Sequence, residues 1–351
     1  MELLKRPLSE YIVHRFGKGA ELISETRFTR GSSRVTWFVD YRPSPGAAVR
    51  SVVFRSDLKG GSTISSSLEQ EHFMYERLGR TNVPVAKVIC WDDDPEWVAR
   101  PLFIREKLEG SWELPDFVNP DPKFDEYRIQ ISKEHLDKLA LIHTVDWKAL
   151  GFDERLKAPD SREDCAHNFI NTIMAPFWEF QVEPVPMVQI GIDWLKKRAP
   201  IAPRISLCKG TNGLGEEVFN NHKIVAMSDW EEASIGDPAA DFASLQNFIP
   251  EINKDGKNIW GIEKALAYYR DISGIPLVNE NVQYYFIVRA LNTIVYGQKA
   301  ATVIHKGLAD IRQGWTGTEV AFLGKRLLAS MIGVTPAMDS SWFAELNETI
   351  S

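Results

Sequence analysis

The sequence predicts an α+β chain of two lobes, a small one rich in antiparallel strands and a larger, mainly helical one. Three observations carry this expectation. β-branched and aromatic residues cluster in short runs before about residue 105, helical periodicity dominates after Pro115, and 351 residues exceed the roughly 150 of an average domain. The expected division is residues 1–105 and 106–351, with a hinge at about 102–110 and a binding cleft between the lobes.

Taken in order, Ser9 reads as the cap of a short helix carrying Tyr11, Ile12, Val13 and Phe16 and stopping at Gly17. Residues 27–42 read as strand with a Gly/Ser-rich turn inside it. A Pro43 to Gly46 turn then leads to a second strand at 49–55, where Val52, Val53 and Phe54 are strand formers. After the connector Gly60 to Ser67, Leu68, Phe73, Tyr75 and Leu78 predict a helix that stops at Gly79. Residues 82–94 and 96–110 read as two further strands around the acidic turn Asp92 to Asp94. Helices are expected at 131–150, 187–199, 262–273, 282–297 and 318–333. The exception is a hairpin whose arms are Glu217 to Phe219 and Lys223 to Trp230, turning at Asn220-Asn221.

Composition narrows the function classes. Apolar residues at 44% and charged residues at 25% fit an ordinary globular core, and no internal repeat or low-complexity tract interrupts it. The net charge of −7 offers no global attraction for nucleic acid or an anionic membrane, so any bound anion must meet a local site. Cys90, Cys165 and Cys208 lie far apart, which argues against a disulfide framework or a zinc cage. No stretch approaches the ~18 apolar residues of a spanning helix. A cytoplasmic protein is the expectation. HExxH and GxSxG are both missing, so metalloprotease and α/β-hydrolase chemistry lack a basis.

The most informative segment is Leu207 to Leu245. A loop opens it, the hairpin carries it to Asp229-Trp230, and Gly236-Asp237-Pro238 precedes Asp241. Asp229 directly follows an apolar strand, which would hold its carboxylate at a cleft edge where a hard cation takes oxygen ligands; a turn-solvating aspartate is the alternative.

This segment resembles the catalytic region of the aminoglycoside phosphotransferase-like kinases, in particular the branch fused to certain acyl-CoA dehydrogenases. That family reads H-G-D-x-x-x-x-N, then a hairpin ending in D-W, then G-D-P-x-x-D. Leu214-Gly215, Phe219, Asp229-Trp230, Gly236-Asp237-Pro238 and Asp241 fall in register with it. His143, Asp146, Trp147 and Gly151 resemble the family's L-H-x-x-D-W-x-x-x-G, and Tyr268 to Gly274 its later helix and glycine stop.

The resemblance implies a bilobed, protein-kinase-like fold that uses ATP and Mg²⁺. It places Arg30 to Thr36, with Gly31, Ser32, Ser33 and Arg34, at the phosphate-facing turn. Arg55 takes the place of the basic residue on the third strand, and Glu71 that of the helix glutamate that orients it. Phe103 to Gly110 matches the adenine-binding hinge, with Arg105 at a normally apolar position.

The catalytic loop departs from the pattern. Lys209-Gly210-Thr211 stands where the family has His-Gly-Asp, and Glu216 stands where it has the metal-binding Asn. A threonine hydroxyl is no base at neutral pH. Glu216 still offers oxygen to a cation beside Asp229, and Lys209 is expected to add positive charge beside the transferred phosphate. A positioned base supplies on the order of 10²–10⁴ in rate, whereas phosphoryl transfer rests mainly on metal, positioning and charge neutralisation. The expectation is therefore an ATP-dependent transferase acting on a small acceptor such as a carboxylate or phenol. The alternative is a pseudokinase that binds nucleotide or another ligand and regulates a protein partner.

Overall fold

In the computed structural model, which describes residues 2–29, 33–58, 66–244, 248–307 and 314–336, the chain forms an α+β, bilobed fold. Its first lobe holds α1 (Leu8–Phe16), β1 (Glu21–Phe28), β2 (Arg34–Arg42), β3 (Arg50–Asp57), α2 (Leu68–Leu78), β4 (Val88–Asp92) and β5 (Leu102–Glu106). The strands make one antiparallel sheet in the order β1-β2-β3-β5-β4. Pairing therefore starts at Glu21, six residues earlier than the alternation from Arg27 indicates.

The period of two sorts this sheet into a core face and a cleft face. Val35 and Val39 on β2, Val52 and Phe54 on β3, and Leu102 and Ile104 on β5 pack with Tyr11 and Ile12 of α1. Their alternates Thr36, Phe38, Val53, Arg55 and Arg105 line the opposite face. Helix α1 begins one residue before Ser9, and its N-terminus has no side-chain cap. Helix α2 matches expectation at both ends: Ser67 accepts a hydrogen bond from the Gln70 amide, and the helix closes at Gly79. Of the proposed phosphate-facing turn, Arg30, Gly31 and Ser32 lie outside the described residues, as does most of the Gly60 to Ser67 connector.

The second lobe follows as α3 (Pro115–Val118), α4 (Asp125–His143), α5 (Cys165–Phe180) and α6 (Pro186–Lys196). Next come β6 (Ser206–Cys208), β7 (Glu217–Asn220), β8 (Lys223–Met227), β9 (Ser234–Gly236), α7 (Ala239–Ser244), β10 (Ile252–Lys254) and β11 (Lys257–Trp260). The lobe ends with α8 (Ile262–Ser273), α9 (Asn279–His305) and α10 (Ala321–Met331). Helix α9 is the spine of this lobe, with Val288, Leu291, Ile294 and Val295 buried in its core. The β7–β8 hairpin appears where the sequence placed it, but its tight turn is centred one residue later, on Asn221 and His222, whose φ angles are 47° and 64°. Helix α5 and the β10–β11 hairpin were not anticipated.

Two ladders position the functional loops. β6 pairs with β9, so the loop after β6 lies over the start of α7. Ser111 and Phe219 exchange backbone hydrogen bonds of 2.8 Å, tying the segment after β5 to β7. Gly110 makes that approach possible, because its φ is 151° and a Cβ there would collide with the Phe219 carbonyl. No helix among the described residues is long and apolar enough to cross a membrane.

Candidate active site

A cavity of about 470 Å³ opens between the sheet and the β7–β8 hairpin. Ser33, Arg34, Arg55, Thr211, Glu216 and Asp229 all line it, which brings together residues up to 196 positions apart in sequence (33 to 229). Glu71 sits behind this surface, fully buried. Lys209 is also fully buried, with its ammonium turned into the second lobe.

On the first-lobe side, one carboxylate organises two guanidinium groups. Glu71 lies 2.9 Å from Arg55 and 3.4 Å from Arg34. Arg34 also reaches Asp57 at 2.9 Å and donates to the Ser66 carbonyl and hydroxyl. Burial opposes the charge on Arg55, but Glu71 and then Asp229 outweigh it and hold the guanidinium more firmly protonated than usual. With one carboxylate between two arginines, this wall keeps positive charge facing the cleft. Arg34, which the family pattern does not call for, is thus locked into the same network as Arg55.

On the opposite wall, carboxylates crowd. Asp229 leaves β8 with φ 64°, a left-handed conformation that aspartate tolerates better than most residues. Its Oδ1 is buried without a hydrogen-bond partner. Burial, then the charge of Asp229 and a hydrogen bond with it, push Glu216 up to about 8. Burial, Asp229 and Glu71 likewise push Glu231 up to about 8. A partnerless buried oxygen and a neighbouring carboxyl that resists ionisation are the donor set a hard divalent cation would relieve, so Asp229 and Glu216 fit such an ion.

Asp241 holds the loop carrying Thr211. It accepts hydrogen bonds from the backbone amides of Lys209 and Gly210, both 2.7 Å, and from Asn212 at 3.1 Å. His143 lies 2.9 Å from it and 2.6 Å from the Tyr269 hydroxyl. Burial would raise Asp241, yet His143 and the two amides outweigh that and hold it below the ordinary carboxylate range. The His143 and Asp241 motifs of the sequence therefore meet as one brace.

Lys209 does not line the cleft cavity, although its place in the loop put its charge beside the transferred phosphate. Its ammonium lies 3.4 Å from the buried Glu217, donates to the Thr211 carbonyl and sits 6.0 Å from the Trp230 ring centre. Glu217 also stands 3.1 Å from buried His135. The physical reason is local: β7 turns Glu217 inward, and a buried carboxylate draws in the nearest cation.

A second cavity, about 280 Å³, lies on the far side of the loop. Glu231 lines both cavities. The second one mixes apolar Phe169, Ile173 and Val295 with Arg155, Lys157 and Arg289. Sequence reading missed Glu232, which accepts a 3.1 Å hydrogen bond from the Thr211 hydroxyl. The acidic doublet after Trp230 was the available signal, but only the fold shows which of the two faces Thr211.

This arrangement is that of a bilobed phosphotransferase: an arginine–glutamate pair on the sheet, a carboxylate after a hairpin, and a braced loop between two cavities. The Phosphotransferase enzyme family model matches residues 25–261, and the chain belongs to that family. Among curated relatives, it is 24% identical to the probable acyl-CoA dehydrogenase IBR3 of Arabidopsis thaliana, over 67% of this chain and 29% of that protein. It is 22% identical to human acyl-CoA dehydrogenase family member 11, over 80% of this chain and 35% of that protein. The chain thus spans about a third of these relatives' length. Among solved structures, a Ralstonia eutropha protein assigned as an aminoglycoside phosphotransferase superposes with a TM-score of 0.63 at 20% identity, covering 93% of this chain and 94% of that one. The aminoglycoside phosphotransferase APH(4)-Ia, in complex with ADP and hygromycin B, gives 0.58 at 13%, covering 94% and 99%.

Proposed function

We propose that this chain transfers the terminal phosphoryl group of ATP to an oxygen of a small cytoplasmic acceptor whose reacting group is acidic, a carboxylate or a phenol. The observation that carries this reading is the opposition of Arg55–Glu71 to Asp229–Glu216 across one cavity. Positive charge on one wall suits polyphosphate oxygens, and paired carboxylates on the other suit Mg²⁺. Mg²⁺, when bound, would neutralise charge on the transferring phosphate. The chain's own groups do the rest: Arg55 draws in the phosphate oxygens, Glu71 fixes its direction, and the 103–110 segment supplies backbone groups for the base.

The second cavity supports an acceptor with an apolar body and an anionic group, because Phe169 and Ile173 share it with Arg155 and Lys157. An acyl-type body is in keeping with the names of the acyl-CoA dehydrogenase relatives. An aminoglycoside, which reacts through an aliphatic hydroxyl, is not favoured by Thr211, whose hydroxyl is no base at neutral pH.

Thr211 at the position of the base favours one second reading, a nucleotide-binding pseudokinase that regulates a protein partner. A single experiment separates the two. MgATP is expected to raise the melting temperature, and ATP is expected to be consumed with a member of a panel of carboxylic acids and phenols. Binding without product from any acceptor would favour the pseudokinase. No shift with MgATP would reject both.

A further inference from the structure

We infer that Glu232 is the general base of the transfer, taking the proton of an acceptor hydroxyl in place of the aspartate that Thr211 has replaced. This rests on the phosphotransferase reading and selects, within its acceptor classes, a phenol over a carboxylate.

Three observations place Glu232 there. Its Oε2 accepts from Thr211 Oγ1 at 3.1 Å, and Oγ1 occupies roughly the place of an aspartate's carboxyl group at residue 211. The glutamate therefore brings a carboxylate oxygen, from the opposite strand end, to within one hydrogen bond of the vacated position. Its side chain is 14% exposed, shielded yet reachable. Finally, Thr211 lines the nucleotide cavity, Glu232 lines the second cavity, and Glu231 between them lines both, so the carboxylate stands where phosphate and acceptor would meet.

The geometry is held from two sides. Asn292 donates to Glu232 Oε1 at 3.4 Å, and Arg289 lies 4.0 Å from Oε2. The backbone is fixed as well: Gly210 has φ 85°, and a Cβ on it would collide with the Glu232 carbonyl, so the loop and residue 232 pack without clearance. Thr211 is a positioning residue. Its hydroxyl has the carboxylate as acceptor and so fixes the direction of the Oε2 lone pairs.

In the step itself, the acceptor O–H gives its proton to Glu232 while the acceptor oxygen forms a bond to the γ-phosphorus. The bond from that phosphorus to the β,γ-bridging oxygen breaks, and the nucleoside diphosphate leaves with the electron pair. A carboxylate acceptor has no proton to give and would meet Glu232 with like charge.

The test uses the full chain with MgATP, taking water and phenol in turn as acceptor probes and measuring phosphate or phenyl phosphate formed, alongside nucleotide affinity. Glu232→Gln is expected to lower transfer about 10²–10⁴-fold with nucleotide affinity within about threefold of the parent. Adding Thr211→Asp to Glu232→Gln is expected to restore a large part of the rate, an outcome a merely structural glutamate would not give. Glu232→Gln retaining the parental rate would overturn the inference and leave the phosphotransferase reading standing. A parent that binds MgATP but transfers to neither probe would also overturn it, and a parent that does not bind MgATP would remove the reading beneath it.

Discussion

The sheet wall and the loop wall of the cleft solve the same problem, holding charge in a buried place, with opposite outcomes. On the sheet, Glu71 sits between Arg34 and Arg55, so these three charges pair with one another, while Arg55 Nε and Arg105 Nε stay without a hydrogen-bond partner. On the loop side Asp229 presses on Glu216 and Glu231, and Asp229 Oδ1 has no hydrogen-bond partner. The difference teaches where the ligand acts. A wall whose opposite charges are already paired contributes to folding whether or not anything is bound, whereas a wall of mutually repelling carboxylates is completed only by an added cation.

The largest effect should come from breaking the paired wall. Glu71→Ala strands Arg55 without its nearest buried partner and leaves Arg34 leaning on Asp57 and Ser66 alone. Removing one member of a buried pair costs about 3–5 kcal/mol. Chemical denaturation should show that loss as a lower midpoint at unchanged slope, and nucleotide affinity should fall with it. A variant as stable as the parent would mean the two walls do not differ in the way described.

The unsatisfied wall should reveal itself through pH. Glu216 and Glu231, each pushed up to about 8, bind protons in the folded chain that the unfolded chain has already released. Metal-free stability should therefore fall as pH rises from the ordinary carboxylate range, about 4.5, to about 8. Mg²⁺ binding needs the ionised forms, so it should strengthen over the same window and release protons. Asp229→Asn keeps a residue that tolerates the left-handed backbone but removes the repelling charge. It should flatten the pH slope and stabilise the metal-free chain by about 0.5–2 kcal/mol, while abolishing the Mg²⁺ response. Melting temperatures across pH, with and without Mg²⁺, check both signs. A slope that rises with pH would sink the description of this wall.

The two walls also differ in how far the sequence discloses them. Helix α2, its Ser67 cap and its Gly79 stop are local patterns, and so is the apolar strand that delivers Asp229 to the cleft. Helix α5 escaped because Pro176 lies inside it and reads as a helix breaker, although Ala166, Ile170, Met174 and Phe177 keep one buried stripe at helical spacing. The β10–β11 hairpin did carry a signal, Asp255-Gly256, whose φ angles of 52° and 72° are those of a tight hairpin turn, but its short, polar strands gave no alternation. The loop wall is harder to read. Whether Lys209 faces phosphate or core depends on Glu217, eight residues on, and the approach of Glu232 to Thr211 depends on β6 pairing with β9. Motif spacing contains neither fact.

Arg289→Ala offers the smallest and most selective probe of the contrast. Arg289 is a third exposed, lies 4.0 Å from Glu232 and makes only a long 3.4 Å hydrogen bond to the Gly210 carbonyl. Partly exposed pairs of this kind contribute about 0–1 kcal/mol to stability, so the melting temperature should barely move. Nucleotide affinity should also hold, since Arg289 lines the second cavity and is not part of the nucleotide-side wall. What should change is the acceptor side: removing the cation loosens Glu232 and takes positive charge from the cavity, raising the KM of an anionic acceptor several-fold before kcat responds. A variant that instead lost nucleotide affinity would show that the two cavities work as one, and the division between a folding wall and a ligand-completed wall would have to be redrawn.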